Sequence, residues 1–145
     1  MYNGLVHLHN LLRWIILILL LVSLVFAFRR NSKIGRTSLW LMLAAHITLL
    51  LGLFQWLNGN LGLNLIDDDG FGEVMKSSVS RFWAVEHFSG MLIAIILISI
   101  ARGKAKYLNY SAARWLYLAA LLIILVSIPW PFREDGIARP WFPGI

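Results

Sequence analysis

Four apolar runs, Leu11 to Phe28, Leu39 to Leu57, Phe82 to Ala101 and Trp115 to Trp130, leave this chain few ways to fold. A helix that crosses the hydrocarbon core of a bilayer needs about 20 mostly apolar residues. The first three runs meet that length, and the fourth meets it when extended back toward Ser111. Only helices and closed barrels pair every backbone polar group inside lipid, and the alternation that marks barrel strands is absent. A hydrophobic content of 59% and a mean hydropathy of +0.73 exclude an ordinary water-soluble domain. The expected architecture is an all-α integral membrane protein, a single domain over residues 1–145 built as a four-transmembrane-helix bundle. Its helices are expected at about 5–28, 38–57, 81–101 and 112–129, with an outer loop over 58–80 and an outer tail over 130–145.

Charge sets the expected orientation. Arg29, Arg30, Lys33 and Arg36 lie between the first two helices, and Arg102, Lys104, Lys106 and Arg114 between the last two. The positive-inside rule puts both loops in the cytoplasm and both termini on the extracytoplasmic side, as expected of a bacterial inner membrane protein. The same loops attract anionic lipid headgroups. They account for the net charge of +6 without a nucleic-acid partner. No Lys or Arg precedes Arg13, so the first run reads as a retained helix rather than a cleaved signal. The absence of cysteine excludes disulfides, thiolate metal sites and covalent haem attachment.

Against this apolar background the ionisable residues stand out, because a charge in lipid usually faces a bundle interior, a partner or a cofactor. Trp83 to Met91 places Glu86 beside His87 just inside the third helix, with Trp83, His87, Gly90, Met91 and Ala94 on one face. Gly90, one turn below the imidazole, leaves room for a flat macrocycle, or for a plain helix contact. His46 lies near the middle of the second helix. His7 and His9 enter at the outer end of the first and point about 200° apart, while His9 and Arg13 share a face. Arg13 either snorkels to the headgroups or neutralises an anionic ligand group or the Glu86 carboxylate.

Four imidazoles, Glu86 and Arg13 thus fall in the outer half of the expected bundle. Neutral imidazoles on facing helices are how bundles hold haem iron. A different metal bound by histidines with Glu86, a proton relay, and simple interhelical hydrogen bonding are the other readings. The acids of the outer loop, Asp67-Asp68-Asp69 and Glu73, lack calcium-loop spacing and read as a solvated surface. Pro129-Trp130-Pro131-Phe132 ends the fourth helix. Trp130, Trp141 and Phe142 suit the headgroup belt.

These features resemble small four-helix membrane proteins labelled cytochrome B-like. The residues that carry the likeness are His7-Leu8-His9-Asn10-Leu11-Leu12-Arg13-Trp14, His46, Trp83 to Met91, Lys104-Ala105-Lys106 and Ile128-Pro129-Trp130-Pro131. More distantly, Leu8-His9 and His87 are similar to positions in HemJ-type protoporphyrinogen oxidases, whereas the Glu86-His87 pair and the proline-tryptophan tail depart from that pattern. The resemblance implies haem b.

The expected function is b-type haem binding for electron transfer, with a quinol or a partner protein. His46 and His87 are the expected iron ligands, His9 is the reserve, and Arg13 with Arg139 neutralises propionates. The alternatives are a haem-dependent porphyrinogen oxidase, which would make the protein a membrane oxidoreductase, and a non-catalytic subunit docking a larger membrane complex through its outer loop and tail.

Overall fold

The structure, a computed structural model, describes residues 2–142, with side chains from residue 4 onward. Residues 143–145 of the expected tail lie outside it. The described residues are helical without a strand. The elements are α1 (Tyr2–Phe28), α2 (Ile34–Asn58), α3 (Leu63–Asp69), α4 (Phe71–Lys76) and α5 (Ser78–Arg81). A π-helical turn (Phe82–Glu86) follows, then α6 (His87–Lys106) and α7 (Tyr110–Ser127). Four helices, Gly4–Phe28, Ile34–Asp69, Ser78–Lys106 and Tyr110–Ser127, are long and apolar enough to cross a membrane.

α1, α2, α6 and α7 pack in that cyclic order, with α6 against α7 the most extensive pair. Ala94, Ile98, Ala101 and Ala105 of α6 are buried opposite Ala113, Tyr117, Ala120 and Ile124 of α7. The alternating three- and four-residue spacing keeps one face in contact, and the alanines bring the backbones close. Leu20 and Ala27 of α1 and Ile34, Leu41 and Ala45 of α2 complete the core. Large apolar side chains such as Ile18, Leu50, Ile96 and Val126 stand exposed on the outside.

One end of the bundle carries the two short turns and the other both termini. The turns are alike. Arg30 and Leu108 each take a left-handed conformation, φ 49° and 57°. Asn31 N donates to Phe26 O and Arg30 N to Ala27 O; Asn109 N donates to Lys104 O and Leu108 N to Ala105 O. These are Schellman closures, which satisfy the last carbonyls of α1 and α6. The termini end is more elaborate than the loop expected over 58–80, which contains α3, α4 and α5. α7 stops at Ser127 because Ile128, preceding a proline, is driven to extended backbone (ψ 136°).

The tail then folds back over the termini end. Arg139 N donates to Pro129 O at 3.1 Å, closing the segment on itself. The Trp83 indole donates to Gly136 O at 2.9 Å. Gly136, at φ 92°, lies against Val79, where a side chain would be both strained and crowded. Ser78 Oγ donates to Glu134 Oε2 at 2.9 Å. Trp14, Trp130, Phe132, Trp141 and Phe142 form one contiguous ring cluster along the tail.

Candidate functional site

Two histidines meet inside the termini end. The rings of His9 and His87 have centroids 6.5 Å apart and planes at 62°. They border a cavity of about 330 Å³, enclosed by all four long helices and roofed by Pro129 and Arg139 of the tail. Its deeper walls are apolar: Ile16, Ala45, Leu49, Ile95, Ile98 and Ile124. Its polar groups, Asn10, Arg13, Gln55 and Arg139, lie toward the termini. The space is amphiphilic along its length.

His87 is fixed from several directions. Its Nδ1 lies 2.7 Å from Ser127 O, so that nitrogen carries the proton and Nε2 keeps its lone pair. This is the arrangement by which metal-ligating imidazoles are oriented. Phe82 and Trp83 pack on the ring, each at 5.8 Å. In an α-helix residues four apart are neighbours but residues five apart are not. The wider π-helical turn brings both into reach. Arg133 caps Phe82 at 4.9 Å and Arg139 caps Trp83 at 4.6 Å, so the tail braces the imidazole from behind. The indole of Trp56 donates to Ala84 O at 3.0 Å within the same turn and stacks on Phe88.

His9 is held by less. Its Nδ1 is buried without a hydrogen-bond partner. A Cβ on Gly52 would come within 3.1 Å of its Cε1, so the glycine makes the space in which the ring lies. Gln55 Nε2 donates to Leu5 O at 3.3 Å and ties α2 to α1 just above.

The expected residues separate into those that meet and those that do not. His46 does not line the cavity; it is exposed, its Nδ1 2.8 Å from Met42 O of its own helix. The inward stripe of α2 runs through Ser38, Leu41 and Ala45, and residue 46 is turned about 100° from it. The histidines that converge are therefore His9 and His87, in place of the expected His46 and His87. His7 is exposed. Gly90 does not line the cavity either: a Cβ there would overlap Ser127 Oγ. Its role is to let α7 approach until the Ser127 carbonyl reaches His87. Glu86 is exposed and accepts from Arg81 Nε at 2.7 Å. Arg13 instead donates through Nη2 to Trp141 O at 2.8 Å, and its Nε is buried and unpartnered. Sequence reasoning missed Thr48 and the Ser127 carbonyl, whereas Gly52, with Ala44 and Ala45, reads from sequence as a small residue of α2 that permits close approach.

Arg13 and Arg139 line the same cavity, and neither has a carboxylate partner among the described residues, whose ion pairs are Lys76–Glu73 and Arg81–Glu86. Burial lowers the Arg139 guanidinium from its usual value. An arginine nevertheless stays protonated in proteins. The described residues contain no group of three or more His, Cys, Asp or Glu side chains able to hold a metal ion.

Fold and site together define a helical bundle with four membrane-length helices around an amphiphilic, two-imidazole cavity. No family model, curated protein or solved structure matches the chain, and the resemblance to cytochrome B-like and HemJ-type proteins gains no support from these comparisons.

Proposed function

We propose that this chain is an integral membrane protein that binds one b-type haem between His9 and His87 and passes electrons on its termini side. The observation that carries the reading is the convergence of these two imidazoles, from different helices, on one cavity. The two rings lie edge to face with centres 6.5 Å apart and border the same cavity, so His9 and His87 are the residues that would hold the iron. The unpartnered Nδ1 of His9 and the Nε2 of His87, left with its lone pair because Nδ1 is committed to Ser127 O, would supply the donor set. The apolar walls suit a macrocycle, and Arg13 with Arg139 supplies cations for its propionates.

When bound, such a group supplies one-electron chemistry whose potential follows from axial ligands, burial and nearby hydrogen bonds. The chain's own residues do the rest. Ser127 O holds the His87 tautomer, Phe82 and Trp83 fix its plane, and the isoleucine walls exclude water. The tail covers the mouth, where a quinol or a partner protein would exchange electrons. The positive-inside rule makes this side extracytoplasmic.

A visible spectrum of protein expressed with ample haem tests the reading. The expected result is a Soret band that is lost or shifted in both His9→Ala and His87→Ala and unchanged in His46→Ala. Absence of the band in the wild type overturns it and leaves a bundle whose histidines only pack.

A further inference from the structure

The tail that roofs the cavity is held in two different ways. Residues 129–139 are anchored by contacts that do not involve Arg13: Arg139 N to Pro129 O, the Trp83 indole to Gly136 O, and Ser78 Oγ to Glu134 Oε2. Residues 140–142 make no backbone–backbone hydrogen bond among the described residues. What holds them by hydrogen bonding is essentially one carbonyl. Trp141 O accepts from Arg13 Nη2 at 2.8 Å and from the Trp14 indole at 3.0 Å, and Pro140 O lies 3.5 Å from the same Nη2. The Trp141 ring adds stacking on Trp14, with centroids 6.1 Å apart.

Arg13 is thus shared between the cavity and the tail. It lines the cavity and is buried, yet its guanidinium is clasped by the chain's own end. The clasp is incomplete. A carbonyl oxygen takes Nη2 and leaves the adjoining Nε buried without a partner. The two oxygens of a carboxylate accept from both nitrogens of such a fork, and the pairing is stronger because both partners are charged and two bonds form. No carboxylate of the described residues does this for Arg13. Trp14 aims a second side-chain N–H at the same point. Trp141 O therefore stands where an anionic oxygen would be held better, beside a cation on the cavity wall.

We propose that residues 140–142 are a latch over the cavity mouth, released when a ligand's carboxylate takes Arg13 from Trp141 O. The identity of that ligand rests on the haem reading, in which the carboxylate is a propionate. The latch itself needs only a carboxylate-bearing amphiphile whose apolar body fits the isoleucine-lined walls. Nη2 belongs to the bond in both states, so latching and carboxylate binding exclude one another. By reciprocity each weakens the other by the same factor. The apparent affinity for the ligand is its intrinsic affinity scaled by the unlatched fraction of the protein. The empty site is closed, and the loaded one presents an uncovered mouth to its electron partner.

The chain has no cysteine, so Phe142→Cys carries a single nitroxide at the end of the latch, whose mobility is followed with the full chain in nanodiscs. The probes are haem, metal-free protoporphyrin and the dimethyl ester of each. Both acids are expected to mobilise the label, and both esters to bind without doing so. Trp14→Phe removes one of the two donors to Trp141 O and keeps an aromatic ring, and is expected to mobilise the label without ligand. It should also tighten acid binding roughly two- to tenfold and leave ester binding unchanged. Arg13→Gln should mobilise the label without ligand and erase the difference between acid and ester. Equal mobility with acid and ester overturns the latch. So does a Trp14→Phe affinity for the acids equal to that of the wild type, a comparison that stands even if Arg13→Gln does not fold. A histidine-dependent Soret band with an immobile label overturns the latch alone. Binding and release by metal-free protoporphyrin, with no such band from haem, supports the latch and overturns the haem reading. Binding of neither acid overturns both.

Discussion

Gly90 shows how a single missing Cβ decides the chemistry of a neighbour one turn away. An alanine there would overlap Ser127 Oγ, so α6 and α7 would have to part at the point where Ser127 O holds His87. Overpacking of this kind costs about 1–3 kcal/mol. Gly90→Ala is expected to lower stability by that amount, read by thermal unfolding in detergent, and to weaken the His87-dependent band. Ser127→Ala in the same chain restores part of the loss, because it removes the overlapping oxygen and keeps the carbonyl. Full additivity of the two changes would show that the contact is not what limits the site. At the far end Leu108 spends free energy on a left-handed backbone (φ 57°) that glycine adopts without strain. Leu108→Gly is expected to stabilise by about 0.5–1 kcal/mol, and a lower midpoint would contradict the turn described.

Among the elements, the π-helical turn decides what surrounds His87. It closes two contacts five residues apart, the Phe82 ring on His87 and the Arg81–Glu86 ion pair. The pair is substantially exposed, so it contributes at most about 0.2–1 kcal/mol. Glu86→Gln should leave the spectrum intact. Removing one residue of the turn, Val85, restores α-helical register and moves Phe82 into the place four residues before His87 that Trp83 now holds. This should break the Trp83 contacts with Gly136 O and Arg139 and shift or broaden the same band. An unaltered spectrum in that deletion would reject the bracing role.

Much of this element plan was legible in the sequence. The four apolar runs marked the long helices, and Pro129 marked the end of α7. What was not legible was azimuth. Helices that are apolar all round carry no polar face to announce which side turns inward, so depth alone could not show that His46, the expected ligand, turns out while His9, the reserve, turns in. The hint lay in Ser38, Ala45, Thr48 and Gly52, a small and polar stripe that excludes residue 46. A one-residue π insertion carries no compositional mark here, and the tail carbonyl that takes Arg13 in place of Glu86 is a contact across most of the chain's length.

For the whole molecule the dominant fact is the separation of charge along the bundle axis, with every acid at the termini end and unopposed cations at the other. The expected topology has the basic end in the cytoplasm. A C-terminal fusion to alkaline phosphatase should then be active and one to green fluorescent protein dark in bacterial cells. The opposite pattern would invert the proposed orientation while leaving the imidazole site untouched.

The ring cluster of the tail has a consequence of its own. Five of the seven indoles, those of Trp14, Trp56, Trp83, Trp130 and Trp141, belong to the cavity wall or to the cluster folded beside it. Their ultraviolet emission would be extinguished by resonance transfer to a visible chromophore lodged among them. The protein therefore carries its own optical gauge of occupancy, readable by dimming in a titration without any attached dye.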